Sequence, residues 1–143
     1  MSFLAGGNIA PSRIVKQDAT TGLVDQASAN TDQPIGVAEA GTHLPNLTIG
    51  GTNFDDGYAG IAVASPPAIG QPTATDVEVF TVGDECMVEI GAAVSNGDPL
   101  MSDTNGRAIT CTSTNWSVGR ALMNGTALGQ LIRCKVQPMY YHT

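Results

Sequence analysis

Short apolar runs separated by turn-forming residues recur along the whole chain, at intervals of about 8–15 residues. This spacing is typical of antiparallel sandwiches and barrels, in which each strand is followed by a tight connection. Residues that favour exposed helical faces are scarce, since the 143 residues include only two lysines and four glutamates. The pattern predicts an all-β fold, a compact antiparallel β-barrel or β-sandwich with short hairpins. The predicted strands are Arg13–Gln17, Leu23–Ala27, Ile35–Glu39, Tyr58–Ala64, Val77–Val82, Cys86–Ile90, Pro99–Ser102, Ala108–Cys111, Ser117–Leu122 and Gly129–Pro138.

Three Asn-Gly pairs lie between apolar segments in the second half of the chain: Asn96-Gly97, Asn105-Gly106 and Asn124-Gly125. A type I′ hairpin turn requires positive φ at both central residues, and Asn-Gly is the dipeptide that best tolerates it. We therefore expect type I′ turns and antiparallel strand pairs at these positions.

The sequence also contains an internal echo. Residues 15–22 resemble residues 100–106, and each segment is followed by a second matching step, Ile35–Ala38 in the first case and Val118–Ala121 in the other. Asp18 and Asp103 occupy corresponding places, where an aspartate accepts hydrogen bonds from backbone N–H groups of its own turn. The echo predicts two similar units of strand, aspartate turn, strand, loop and strand, paired around a pseudo-twofold axis in one core.

Composition along the chain predicts an N-terminal arm at residues 1–10 and a single β domain at residues 11–143. The arm holds Phe3, Leu4 and Ile9 among glycines and carries no charged side chain. It either adds a strand to a neighbouring subunit or to another partner, or forms the first strand of the protein's own sheet. Within the domain, residues 41–76 are rich in Gly, Pro, Thr and Asn and form a loop-rich insertion.

Charge is segregated along the sequence. All thirteen acidic residues lie between Asp18 and Asp103, and all six basic residues lie outside that window. Two interpretations follow: attraction between strands from the ends and the middle, or a bipolar molecule with a basic face for an acidic partner. The net charge of −7 argues against nucleic acid as a partner. The absence of an apolar run near 18 residues argues against a spanning helix, and we expect no membrane partner.

Catalytic and metal-binding signatures are absent from the sequence, so we expect no enzyme, no cofactor and no metal site. The two histidines, His43 and His142, have no neighbours at ligand spacing. Cys86, Cys111 and Cys134 are widely spaced in apolar or threonine-rich stretches. We expect them to be reduced, buried thiols of a protein made in a host cytoplasm. Only 13% of residues are charged, which leaves weakly polar surface to cover and predicts a homo-oligomer, with a trimer favoured over a dimer.

Several segments resemble one known family. They are residues 11–18, 29–37, 97–100, 102–108, 118–122 and 136–139, which hold Pro11-Ser12-Arg13-Ile14, Gly97-Asp98-Pro99-Leu100 and Val118-Gly119-Arg120-Ala121 among others. In this order they are similar to the capsid decoration (cement, head-stabilising) proteins of tailed bacteriophages, over most of the chain except residues 41–76. The resemblance implies a small β-barrel or sandwich, usually trimeric, on the outer capsid surface of the virion. There it would bind the major capsid protein and clamp adjacent capsomers of the expanded shell.

Seven residues are the expected contacts with the capsid or a sister subunit: Phe3, Leu4, Ile9, Arg13, Lys16, Tyr140 and Tyr141. Two other functions remain open. One is a different structural virion module, such as a head fibre or tail part, and the other is a small ligand-binding β-barrel.

Overall fold

A computed structural model describes residues 1–40, 48–49, 52–53 and 76–141. These residues form strands without any helix. The strands are β1 (Ser2–Leu4), β2 (Ile14–Gln17), β3 (Val24–Gln26), β4 (Pro34–Ala38), β5 (Thr48–Ile49), β6 (Thr52–Asn53), β7 (Asp76–Phe80), β8 (Glu85–Glu89), β9 (Pro99–Ser102), β10 (Ala108–Thr110), β11 (Asn115–Ala121) and β12 (Leu131–Tyr141).

The strands form two five-stranded antiparallel sheets in the order β1-β7-β4-β2-β3 and β10-β9-β11-β12-β8, with β5 and β6 as a separate pair. The all-β prediction is confirmed, and of its two forms the sandwich is the observed one. An isolated bridge from Ala5 to Val24 brings the two edge strands of the first sheet together at one residue only. Neither sheet closes into a barrel.

The two sheets are copies of one topology. Read from its other edge, the second sheet is β8-β12-β11-β9-β10, which matches β1-β7-β4-β2-β3 strand for strand. Single contacts repeat as well: the N–H of Gly6 donates to Val24 O at 2.8 Å, and that of Gly91 donates to Ala108 O at 2.9 Å. The echo in the sequence therefore extends to a complete five-stranded repeat.

The two repeats share a glycine at one position where the backbones of neighbouring strands approach too closely for any side chain. A Cβ atom built on Gly36 would lie 1.9 Å from Phe80 O, and one built on Gly119 would lie 1.9 Å from Lys135 O. Both glycines hold the same place, on the fourth strand of each repeat against the carbonyl of the neighbouring fifth strand. Only glycine permits this approach, which explains why sequences that otherwise differ both keep it.

The aspartate turns are also repeated, as the sequence predicted. Asp18 Oδ1 accepts hydrogen bonds from Thr20 N and Thr21 N at 2.7 and 2.8 Å. Asp103 Oδ1 accepts them from Asn105 N and Arg107 N at 2.8 and 2.9 Å. The bonds from Thr21 N and Thr20 N hold the pKa of Asp18 below its ordinary value.

The type I′ prediction for the Asn-Gly pairs is wrong. Among the described non-glycine residues, only Ser12 and Thr114 have positive φ, so none of the three asparagines adopts the required conformation. The expected antiparallel strand pairs do occur at two of these positions: Asn124-Gly125 lies in the longer connection between the paired strands β11 and β12, and the paired neighbours β9 and β10 are joined directly through Asn105-Gly106. The Asn105-Gly106 turn is closed by the Asp103 carboxylate. Its hydrogen bonds to the turn take the place of those that a two-residue hairpin makes between backbone groups.

The two repeats do not pack around a pseudo-twofold axis. Ile14 and Val37 of the first repeat are fully buried in the cluster that contains the core of the second sheet. Their topological counterparts, Pro99 and Arg120, lie at the surface, half-buried and exposed. A twofold axis would bury both sets equally, so the first repeat packs on the second through a face that the second repeat leaves free.

The N-terminal residues belong to the protein's own sheet. β1 pairs with β7 in antiparallel register, and Ala5 and Ile9 are buried in the core of the first repeat. Of the two alternatives for residues 1–10, this is the first strand of the domain. The loop-rich segment lies between β4 and β7, where the second repeat has only residues 122–130. Most of residues 41–76, including the predicted strand Tyr58–Ala64 and His43, lies outside the described residues, as does His142.

Candidate interaction surfaces

An ion-pair cluster joins the two repeats at Arg13. Its guanidinium lies 2.9 Å from Glu89 Oε2 and donates to Asn105 O at 2.7 Å. The same Glu89 oxygen accepts from Arg107 Nε. Nearby, Ile14 N donates to Gly106 O and Glu89 N donates to Ser12 O. We expected Arg13 to contact the capsid or a sister subunit. Its guanidinium instead binds the second repeat of the same chain.

Lys16 likewise has an intramolecular partner, since its Nζ lies 3.0 Å from Asp32 Oδ2. Asp32 also accepts from Ser28 N and Ala29 N. Burial alone would raise the pKa of Asp32, but the hydrogen bonds from Ser28 N and Lys16 outweigh it and the pKa is lowered. Both ion pairs connect an end of the chain to its acidic middle, as the first interpretation of the charge segregation expects.

The three apolar residues expected as contacts differ in exposure. Ile9 is buried and Phe3 packs on the core of the first repeat, whereas the Leu4 side chain is 52% exposed. Only Leu4 of this group presents its apolar surface to solvent.

The C-terminal residues extend beyond the sheet as a β-ribbon, which comprises residues 115–117 and 139–141. A register shift at Ser117 separates the ribbon from the sheet, and the Ser117 hydroxyl donates to Gly119 O there. The rings of Trp116 and Tyr140 meet edge to face at 5.4 Å. Tyr140 is nevertheless 48% exposed, and the matching strand of the first repeat ends at Phe80. The ribbon is therefore an aromatic surface found in one repeat only, and it carries both Tyr140 and Tyr141.

The outer surface of the second sheet carries a basic face, which we define as Arg120, Arg133 and Lys135 with the exposed Met87, Leu122 and Leu131. Arg120 lies opposite Lys135, and Arg133 lies opposite Met87. None of the three cations forms an ion pair with a carboxylate of the described residues. The sequence suggested a basic face only in general terms, through the second interpretation of the charge segregation, and the expected contact residues did not include these three, although the strict alternation of Leu131–Val136 marks one side of β12 as exposed.

The corresponding surface of the first sheet carries an acidic face, which we define as Glu39, Asp76 and Glu78 with the exposed Leu4. Glu78 occupies the place of Arg133, Asp76 that of Leu131, and Glu39 that of Leu122. Glu39 N donates to Glu78 O, which places the two side chains opposite each other. Glu78 also lies 3.1 Å from the N-terminal ammonium. The duplicated surface thus has opposite charge in the two repeats.

The three cysteines are free and buried, as the sequence predicted. Cys86 Sγ and Cys134 Sγ lie 3.6 Å apart across β8 and β12. Their hydrogen bond and burial raise the pKa of Cys86, and burial raises that of Cys111. Within the described residues no cluster of His, Cys, Asp and Glu could hold a metal ion. That part of the chain also has no helix with the length and apolarity of a membrane span.

The fold is similar to that of a structurally characterised bacteriophage protein. The chain is similar to the N base of the head fibre protein gp8.5 of bacteriophage phi29, with a TM-score of 0.60 and 19% sequence identity. The similarity covers 96% of this chain and 93% of that one. No family model and no curated protein matches the sequence. At this identity the similarity establishes a common fold.

Proposed function

We propose that this protein is a structural component of a tailed-phage virion that binds the outer surface of the capsid. The observation that carries the proposal is the fold similarity to a phage head fibre base, which covers nearly the whole length of both chains. The resemblance of the turn and strand segments to capsid decoration proteins is a second, independent argument. Neither argument involves an active site, and the proposed role is non-enzymatic.

The finer proposal is that the protein clamps adjacent capsomers of the expanded shell. Its partners would be the major capsid protein and other copies of itself, most favourably in a trimer. A compact module whose two sheets share one apolar core cluster is suited to bearing load between larger subunits, because its halves cannot separate without exposing buried residues such as Ile14 and Val37.

The β-ribbon is the surface that we assign to the capsid. Exposed tyrosines and methionines are the side chains that protein interfaces enrich, and Met139 and Tyr140 are both exposed here. The edge-to-face contact with Trp116 fixes the Tyr140 ring in place, so little side-chain entropy remains to be lost on binding. Leu4 is a further exposed apolar side chain, at the other end of the chain.

A second candidate function is the base of a head fibre, which is what the similar phi29 protein is called. A fibre base must attach to the capsid but has no need to stabilise it. Both functions therefore require binding to the capsid, but only the clamp requires that binding stabilises the shell.

Binding to purified capsids tests both functions. The protein is mixed with expanded capsids that lack surface proteins, bound copies are counted after sedimentation, and the temperature at which the shells release DNA is measured. We expect binding and a higher release temperature. Binding without a change in release temperature supports the fibre base, and absence of binding contradicts the proposal.

Two variants locate the contact. Tyr140→Ala should reduce binding at least tenfold, because interface hot spots are enriched in tyrosine and cost about 2 kcal/mol or more on truncation, and about 1.4 kcal/mol corresponds to tenfold. Val82→Ala is the matched control, since Val82 is an exposed apolar residue in the turn between β7 and β8. Equal binding by the two variants would remove the ribbon from the interface without affecting the capsid-binding proposal itself.

A further inference from the structure

Three of the six basic residues are neutralised within the molecule and three are not. Arg13 and Arg107 pair with Glu89, and Lys16 pairs with Asp32. The remaining three, Arg120, Arg133 and Lys135, all lie on the basic face. Residues 41–75 contain no lysine or arginine, and the one cation that meets the acidic face within the described residues is the exposed N-terminal ammonium at Glu78.

Each face also holds two like charges in direct opposition. Arg120 and Lys135 are cross-strand partners, and Glu39 lies opposite Glu78. Like charges placed in this way destabilise a sheet on its own. Opposite charge brought by a partner turns each pair into a favourable site, because one carboxylate or one cation can contact both members.

Part of the basic face is moreover the counterpart of residues that are used for packing inside the chain. In the first repeat, Val37 and Phe80 pack against the second repeat. Their counterparts Arg120 and Lys135 are exposed. This part of the surface is therefore packed in the first repeat and free in the second, where exposed Met87 and Leu131 supply apolar area beside the free charges.

We infer that the basic face of one copy binds the acidic face of a second copy of this chain. The proposal rests on the self-association proposed above and specifies the surfaces that produce it. The two faces differ, so the contact is heterologous: each bound copy leaves a basic face free at one end and an acidic face free at the other. Such a contact produces a closed ring or a chain, and it does not stop at two copies.

Charge reversal in solution tests the inference. The oligomeric state of the wild-type protein is measured by analytical ultracentrifugation at up to about 0.5 mM, at low and at high ionic strength. We expect complexes of three or more copies that dissociate as salt rises, because exposed charges are screened. A wild-type protein that stays monomeric, or that saturates as a dimer, overturns the inference.

Arg133→Glu and Glu39→Lys should each weaken self-association roughly tenfold or more, since each places like charges across the contact. They change the net charge in opposite directions, so a shared loss of association is not an effect of overall charge. An equimolar mixture of the two variants should associate again, because the intact acidic face of one meets the intact basic face of the other. Failure of the mixture to associate contradicts the inference.

Glu85→Gln is the control of opposite sign. Glu85 is the carboxylate that lies opposite Lys135 on the basic face, and its removal should leave association unchanged or strengthen it. Thermal melts of all variants report whether they fold. Capsid binding is measured separately on the same variants: a protein that binds capsids but fails these tests refutes the self-contact alone, whereas one that self-associates but ignores capsids refutes the proposed function alone.

Discussion

Gly119→Ala is the substitution for which the structure makes its strongest stability prediction. The added Cβ would lie 1.9 Å from Lys135 O, so β12 must retreat from β11 by about 1 Å or more before ordinary contact is restored. Overpacking of this kind costs about 1–3 kcal/mol, and one lost ladder hydrogen bond adds about 1 kcal/mol. We expect the free energy of unfolding to fall by about 3 kcal/mol, which corresponds to a drop of roughly 10 °C in Tm for a chain of this size.

The assay is urea unfolding followed by far-ultraviolet circular dichroism, with the wild type and Gly7→Ala in parallel. Gly7 is a suitable control because a Cβ there would meet only Asp25 Oδ1, at an ordinary 3.6 Å. That variant should leave the free energy of unfolding unchanged or raise it by up to about 1 kcal/mol. Gly36→Ala should resemble Gly119→Ala, since Phe80 O occupies the same position in the first repeat.

The reasoning is refuted if Gly119→Ala lies within about 1 kcal/mol of the Gly7→Ala control in unfolding free energy. A large loss in Gly119→Ala alone, with Gly36→Ala near wild type, would instead contradict the equivalence of the two repeats. The slope of the unfolding free energy against urea concentration is compared first. A change in that slope would indicate that the native sheets have loosened, and the midpoints alone would then not measure stability.

Three further predictions follow from buried and hydrogen-bonded groups. The cysteine thiols should react with a thiol reagent only after unfolding; fast modification of the native protein would contradict their burial. Asp32→Asn should cost about 1 kcal/mol at pH 7. Because the pKa of Asp32 in the folded protein is lowered from 3.8, this stability is lost as pH falls through the folded pKa, and the unfolding free energy of the variant should then converge on that of the wild type. A difference in unfolding free energy that stays constant down to about pH 2 would contradict this. Ile9→Ala should destabilise by about 2–5 kcal/mol, and deletion of residues 2–10 should abolish folding; a near-native melt of either would contradict the packing of the N-terminus.

Much of the local structure was predictable because it depends on short stretches of sequence. Alternating apolar residues fix the exposed and buried sides of a strand, as in Leu131–Val136, and these patterns placed most strands within a few residues. The aspartate turns were predictable because the side chain bonds to its own turn. The Asn-Gly turns were not, since the dipeptide permits positive φ without requiring it, and Asp103 satisfied the backbone in another way.

The interaction surfaces were less predictable than the strands. Arg13 and Lys16 are charged residues near an end of the chain, and their sequence neighbours do not reveal that Glu89 and Asp32 neutralise them. Tyr140 was recognisable as an unusual terminal aromatic residue. The grouping of Arg120 with Arg133 and Lys135 depends on the pairing of β11 with β12, which joins residues that are distant in sequence.

By itself, the sequence determined an all-β chain and its repeated turn units, because these depend on alternating apolar residues and on hydrogen bonds within a few residues. Only the tertiary structure decided that the echo is a complete five-stranded repeat, that residues 1–10 join the first sheet, and that the repeats pack asymmetrically. Val37 is buried and its counterpart Arg120 is exposed because packing depends on what the rest of the chain brings against each face. The same asymmetry leaves one basic and one acidic copy of a duplicated surface facing solvent.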